Sequence, residues 1–352
     1  MEQNIVKVVR VVLTGVVTWI LLVRGYGIVA IGVLNLSAQI IVIPIFGYMT
    51  YRLLRQSKIT SFFKKSLLKD LSHYSLYVFF AVIAQRLFDH FDTILIGVFI
   101  STAAVPVFYY GFQILFSVRR FTAAISQVLL PVVTEYNARN AKDDIFRLFV
   151  FSGKVVVLIS LPVIATLFVV GKDFYLLWLG PEFSRSYVIF VLLAVPNMFL
   201  FSQRVGIPIL YGTGNHKYWS IFQLGNAVLK IGLSIWFVFI FKEPLYGIAW
   251  GTTIPSVLYF VYLQYYFRKH LQFDLMTFYK KVYVTNIIPV TGLVGILLLM
   301  KSIFGTLTWM TLAISVAVAT PFFLISSYWF VFEPAERKKI ISQIPFVNRI
   351  MK

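Results

Sequence analysis

The sequence predicts an all-α fold, a polytopic integral membrane helix bundle of about ten transmembrane helices, and three observations predict it. Hydrophobic residues make up 59% of the 352 residues and charged residues 13%, with mean hydropathy +0.84; soluble domains carry about 25% charged residues. Ten apolar runs succeed one another between charged or Gly/Pro/Asn-rich breaks, each about as long as or longer than the ~20 residues that a spanning helix needs. Lys and Arg outnumber Asp and Glu 32 to 13. On a hydrophobic chain such an excess collects in cytoplasmic loops, so no nucleic-acid partner is expected.

The runs are 5–23, 28–51, 72–99, 103–135, 147–170, 186–211, 218–241, 245–267, 282–300 and 307–332. The first has Lys7 and Arg10 ahead of its apolar stretch, as a signal peptide would. It lacks a small-residue cleavage site and continues through Arg24, Gly25, Tyr26 and Gly27 into the second run, so a retained helix is expected. The longest polar stretches, 52–71 and 333–352, are too short for a soluble domain. Prolines at 131, 162, 196, 208, 255, 289 and 321 fall inside or at the ends of spans, where they kink helices.

With the N-terminus placed in the cytoplasm, 21 of the 32 cations lie in cytoplasmic segments. Five lie outside (Arg24, Lys172, Arg185, Lys242, Lys301), and six within spans, with Lys7, Arg10 and Arg147, near the cytoplasmic ends of their runs, counted among the 21. Miscounting one span would reverse every later loop, so the asymmetry supports ten helices with both termini cytoplasmic. The basic 52–69 segment and the tail are expected to touch anionic lipid headgroups.

The six cations within spans are Arg86, Arg119, Arg120, Lys154, Arg204 and Lys230. Each costs about 2.5–3.5 kcal/mol at the membrane centre on the mildest scale. Lys154 lies two turns into its helix and Arg119 lies off its helix's polar face. Snorkelling or a local pair suffices for both, and substitution of Lys154 is expected to be silent. The others join polar stripes at helical spacing. These are Gln113, Ser117, Arg120 and Gln127; Gln223, Asn226, Lys230 and Ser234; Asn197 and Arg204; and Gln85, Arg86, Asp89, His90 and Asp92.

Buried Gln, Asn and Ser commonly join helices in a bundle, which is one reading of the uncharged members. For the cations a water-filled positive cavity fits better, because a dry bundle would need a carboxylate for each and only Asp89 and Asp92 lie deep enough. Such a cavity implies an anionic substrate, a lipid-linked phosphate or an acidic sugar. Arg120 offers a planar fork for phosphate and Lys230 a mobile point charge. Asp89 and Asp92 read either as ion-pair partners, Asp89 with Arg86 three residues earlier, or as groups that titrate and couple transport to an ion. Candidate cavity residues are therefore Arg86, Gln113, Arg120, Asn197, Arg204, Asn226 and Lys230.

Catalytic signatures are missing. The chain has no cysteine, its four histidines make no metal-ligand spacing, and no metal or cofactor is expected. The segment Gly212 to Lys217 lacks the phosphate-loop spacing and reads as a tight cytoplasmic turn.

Several motifs carry a family resemblance. Phe88 to Gly97, followed by Ser101 and by Tyr109, Tyr110 and Gly111, resembles the centre of polysaccharide exporters and O-antigen flippases of the multidrug/oligosaccharidyl-lipid/polysaccharide superfamily. Leu130-Pro131, Trp178 to Phe183 and Leu210 to Lys217 agree in order and spacing. The resemblance covers about residues 70–270 and implies a two-lobed transporter. Such a transporter moves an undecaprenyl-diphosphate-linked O-antigen, capsule or exopolysaccharide unit from the cytoplasmic to the outer leaflet through a basic central cavity. It implies residence in the cell (inner or plasma) membrane, a lipid-linked anionic glycan and membrane lipids as partners, and no enzymatic step. Other polysaccharide-assembly proteins are further candidate partners.

Within that scheme 1–52 resembles the end of the first lobe, 53–71 is a basic cytoplasmic linker and 72–268 the six-helix second lobe. An extra helix pair occupies 269–332 and a basic tail 333–352. Family members carry 12–14 helices, so about four N-terminal helices are expected to be missing. Either the reading frame is truncated or a partner supplies the other wall. A multidrug or cation antiporter would instead carry more carboxylates than cations in its cavity. A membrane-embedded glycosyltransferase or polymerase would need a large outer loop, whereas the longest here is about 171–185.

Overall fold

The computed structural model describes residues 2–56, 65–305 and 308–337, and the chain divides into two compact units, 1–71 and 72–352. In the first, α1 (Glu2–Val23) and α2 (Ile28–Gln56) form a hairpin. Their facing sides leave an apolar groove of about 370 Å³, in which Arg10 donates to Gln39 Oε1 at 2.8 Å.

The second unit contains α3 (Lys65–Phe99) from Ser72 onward, α4 (Val105–Ala138), α5 (Lys142–Leu179), α6 (Ser184–Gln203), α7 (Gly206–Gly212) and α8 (Lys217–Ile240). There follow α9 (Pro244–Tyr266), α10 (Leu275–Val282), α11 (Ile287–Phe304) and α12 (Trp309–Phe330). Helix α6 packs against α4, α5 and α9, and α8 lies along α9. A Cβ at Gly251 would stand 2.6 Å from the Ser234 Cα, so the absence of a side chain is what lets these two backbones meet, a familiar device in membrane bundles. The core includes a Phe149, Phe267, Phe273 and Phe278 cluster, with Phe149 stacked on Phe278 at 4.4 Å. A smaller cluster of Ala165, Leu293, Leu297, Ala319 and Phe323 ties α11 and α12 to α5.

Among the described residues eight helical segments have the length and apolarity of a membrane span. Helices α3 and α9 complete the expected ten by length alone. Their apolarity is diluted for identifiable reasons: α3 carries Arg86, Asp89 and Asp92, and α9 carries Gly247, Gly251, Thr252, Thr253 and Ser256.

Two spans depart from the sequence-based expectation. The run 186–211 is broken at Arg204 and Val205. Pro208 has no N–H to return to the Arg204 carbonyl, which accepts instead from Ile207 at 3.1 Å. At Gly206 a Cβ would fall 2.3 Å from the buried Phe267 ring, so the break is packed tightly against the end of α9. The run 282–300 is preceded by the separate helix α10, whose N-cap Asp274 accepts from the Met276 and Thr277 amides.

Lys154 is not paired within its own helix. It is 1% exposed within α5, and its Nζ lies 2.7 Å from Glu336 Oε2 just beyond α12.

Candidate functional site

A cleft of about 560 Å³ lies between α3, α4 and the α6–α7 break. Four arginines line it: Arg86 from α3, Arg119 and Arg120 from α4, and Arg204 from the break. One carboxylate, Asp89, opposes them. On α4 the lining runs from Phe116 to Leu130, about 21 Å at 1.5 Å per residue. That length is about two thirds of a ~30 Å hydrocarbon core.

Arg119 holds Asp89 as a fork, Nη1 to Oδ1 and Nη2 to Oδ2, both at 2.6 Å. Gln85 donates to the same carboxylate at 2.8 Å and itself accepts from Gln223 at 3.1 Å, so α8, α3 and α4 are joined by one polar chain. Two arginines thereby differ from their neighbour. Arg86 and Arg120 are exposed to the cleft, and the Arg120 guanidinium lies over the Phe116 ring at 4.3 Å. Arg204 is half-buried, and its Nε is without a hydrogen-bond partner among the described residues. An anion entering the cleft therefore meets three guanidinium groups that form no ion pair among the described residues and can offer it charge-assisted hydrogen bonds.

Arg86, Arg120 and Arg204 are thus brought together, joined by Arg119, which its position off the α4 stripe had set aside. Asp89 is paired, with Arg119 across the helix interface rather than with Arg86 on its own helix. Lys230 and Asp92 lie elsewhere. Lys230 Nζ is 2.8 Å from Asp92 Oδ2 and also donates to the Phe88 carbonyl, while Thr252 Oγ1 donates to Asp92 at 3.3 Å. Lys230 is 1% exposed, so the pair forms a dry junction of α3, α8 and α9. Asn226 is buried on the same α8 face. Gln113 is half-buried on α4 away from the cleft lining, and Asn197 donates to the Leu193 carbonyl of its own helix at 2.7 Å.

The motifs behind the family resemblance meet in space as well. Tyr110 stands edge-on to both Trp178 (5.3 Å) and Phe183 (5.5 Å), tying the start of α4 to the end of α5. Leu130 and Tyr211 line one end of the arginine cleft.

Comparison with known proteins agrees with this picture. A family model described as "Polysaccharide biosynthesis protein" matches residues 2–188. The chain is also similar to the teichuronic acid biosynthesis protein TuaB of Bacillus subtilis (strain 168), at 24% identity over 272 residues. That alignment takes in 74% of this chain and 54% of TuaB, so the chain spans about half the length of that relative. With more than half of the chain matched by the family model and its helices long and apolar enough to cross a membrane many times, this multi-pass membrane protein belongs to the polysaccharide biosynthesis protein family.

Proposed function

We propose that the chain serves as a flippase wall, passing a lipid-linked anionic saccharide unit from the cytoplasmic to the outer leaflet of the cell membrane along the arginine cleft. The observation that carries this reading is the set of four arginines facing one carboxylate in a cleft walled by helices long enough to span. Uncompensated cations there are costly, and an anionic ligand offsets that cost. The phosphates of a lipid carrier, or the carboxylates of an acidic glycan such as the one named for TuaB, supply the complementary charge. Three protein groups then do the binding: Arg86 and Arg120 from opposite walls, and Arg204 from the helix break. Arg119, already held by Asp89, keeps α3 and α4 in register. The basic segments and the 213–216 turn lie on the cytoplasmic side, following the cation asymmetry.

The test is reconstitution in proteoliposomes with a fluorescent lipid-diphosphate glycan and a neutral glycolipid of equal length. The chain is assayed alone and joined to the N-terminal part of TuaB. Flipping of the charged lipid and not the neutral one supports the reading. Equal transport of both in either form refutes it.

A further inference from the structure

A group of exposed cations outside the cleft sits where α8 begins and α9 ends. Lys217, the first residue of α8, places its ammonium 5.4 Å from the Tyr77 ring of α3 and 5.7 Å from that of Tyr218. Lys269, in the π-turn that follows α9, donates to Tyr265 Oη at 3.0 Å. The Tyr218 and His270 rings stack at 6.4 Å, so the two lysines flank one aromatic platform, with Arg268 beside it. All three cations are exposed, and none forms an ion pair among the described residues.

A second feature continues from this cluster. Tyr218, Ile221, Gly225, Val228, Gly232 and Trp236 follow three- and four-residue spacing along α8 and are all exposed. A Cβ at Gly225 or Gly232 would meet nothing within 4 Å, so the face is open at both glycines. From Lys217 to Trp236 it runs about 28 Å, the depth of the hydrocarbon core.

We infer that this end of α8 and α9 binds one anionic phospholipid of the surrounding leaflet, its phosphate against Lys217 and Lys269 and an acyl chain along the nearer half of the open α8 face, past Gly225. A soluble anion would satisfy the cations and leave the apolar face uncovered. A protein partner of opposite charge would have to be apolar over the adjoining face as well. An amphipathic anion fits both halves at once, and leaflet lipids attract such basic positions by about 1 kcal/mol per Lys or Arg. None of Lys217, Tyr218, Lys269 and His270 lines the arginine cleft.

The experiment is native mass spectrometry of the delipidated full chain titrated with phosphatidylglycerol, phosphatidylcholine or glycerol 3-phosphate. Phosphatidylglycerol should bind first and tightest. The Lys217→Gln/Lys269→Gln variant should weaken it roughly 30-fold, two lysines at the quoted attraction. Gly225→Leu should weaken it by obstructing the open face. Lys142→Gln/Lys280→Gln, an equal charge loss at exposed positions elsewhere, should change it less than about threefold. An equal loss in that control pair would reduce the site to general basic attraction. Phosphatidylcholine binding as tightly as phosphatidylglycerol, or glycerol 3-phosphate matching it, would also overturn the inference.

Discussion

Arg119 and Asp89 meet through two parallel hydrogen bonds of 2.6 Å across the α3–α4 interface, with side chains only 15% and 7% exposed. The pair divides the cleft's cations into one that is neutralised and three that are not. Breaking it strands a carboxylate in a nearly dry setting. Arg119→Gln should lower stability by about 3–5 kcal/mol, read as a fall in the thermal midpoint in detergent. Arg119→Lys should recover only part of that loss, because an ammonium does not reproduce the fork. Full recovery by lysine would show that charge alone holds the interface.

Lys230 and Asp92 make a different prediction from the one their positions in the sequence suggested. Lys230→Met alone leaves Asp92 buried without its cation and should cost about 3–5 kcal/mol, whereas Lys230→Met/Asp92→Leu should be neutral or stabilising. A transport assay on the double variant separates structure from function. Retained flipping is expected; its abolition with a normal thermal midpoint would put the pair in the pathway.

Lys154 and Glu336 close a contact between α5 and the residues after α12, and Lys281 with Glu333 at 2.9 Å lies close by in sequence. Glu336→Ala should therefore destabilise the protein by several kcal/mol, about 3 or more by analogy with other buried pairs, and Lys154→Gln should not be silent. A thermal midpoint unchanged in both variants would return Lys154 to an interfacial role.

The Glu333 carboxyl is held below its usual range by its hydrogen bond to Lys281. A depressed carboxylate contributes stability that is present above its unfolded pKa and lost as pH falls through its folded pKa. Acidification below the ordinary glutamate range should therefore weaken the wild type more than Glu333→Gln. Parallel acid-unfolding curves for the two proteins would contradict this. Both groups are about half exposed, so the difference should be small and should shrink in high salt.

Topology is testable independently of substrate. Reporter fusions at Asn140, Asn215 and Lys269 should report one side of the membrane, the cytoplasm. Fusions near Ser101, Glu182 and Glu243 should report the other. Any member of the first group outside would break the ten-helix arrangement that the cation asymmetry implies.

Helix positions were legible because apolar runs and charged breaks alternate along the chain; eight of the ten expected runs each correspond to one unbroken helix, and the break at Arg204 has its cause in Pro208, visible in the sequence as a proline within a span. Which helix supplies each partner was not legible. Asp89 sits three residues from Arg86, the pairing that helical spacing favours, yet Arg119 reaches it from α4, because interhelical register depends on packing that spacing along one helix does not encode. Lys230 looked like a lone deep cation for the same reason: its carboxylate lies 138 residues earlier. The partner of Lys154 was not legible because Glu336 lies 182 residues away, in a segment that composition marks only as a polar tail. The three unneutralised arginines share a trait that the sequence does show, residence within a span on a polar stripe.

The most direct test of the transport account is the flipping rate of a fluorescent lipid-diphosphate glycan in proteoliposomes carrying Arg120→Gln, Arg204→Gln or both. Charge-assisted hydrogen bonds of about 1.5–3 kcal/mol predict a loss of roughly tenfold or more for each single variant and near-abolition for the pair, with the thermal midpoint unchanged. Flipping at the wild-type rate by a folded Arg120→Gln/Arg204→Gln double variant would contradict an anion pathway through this cleft.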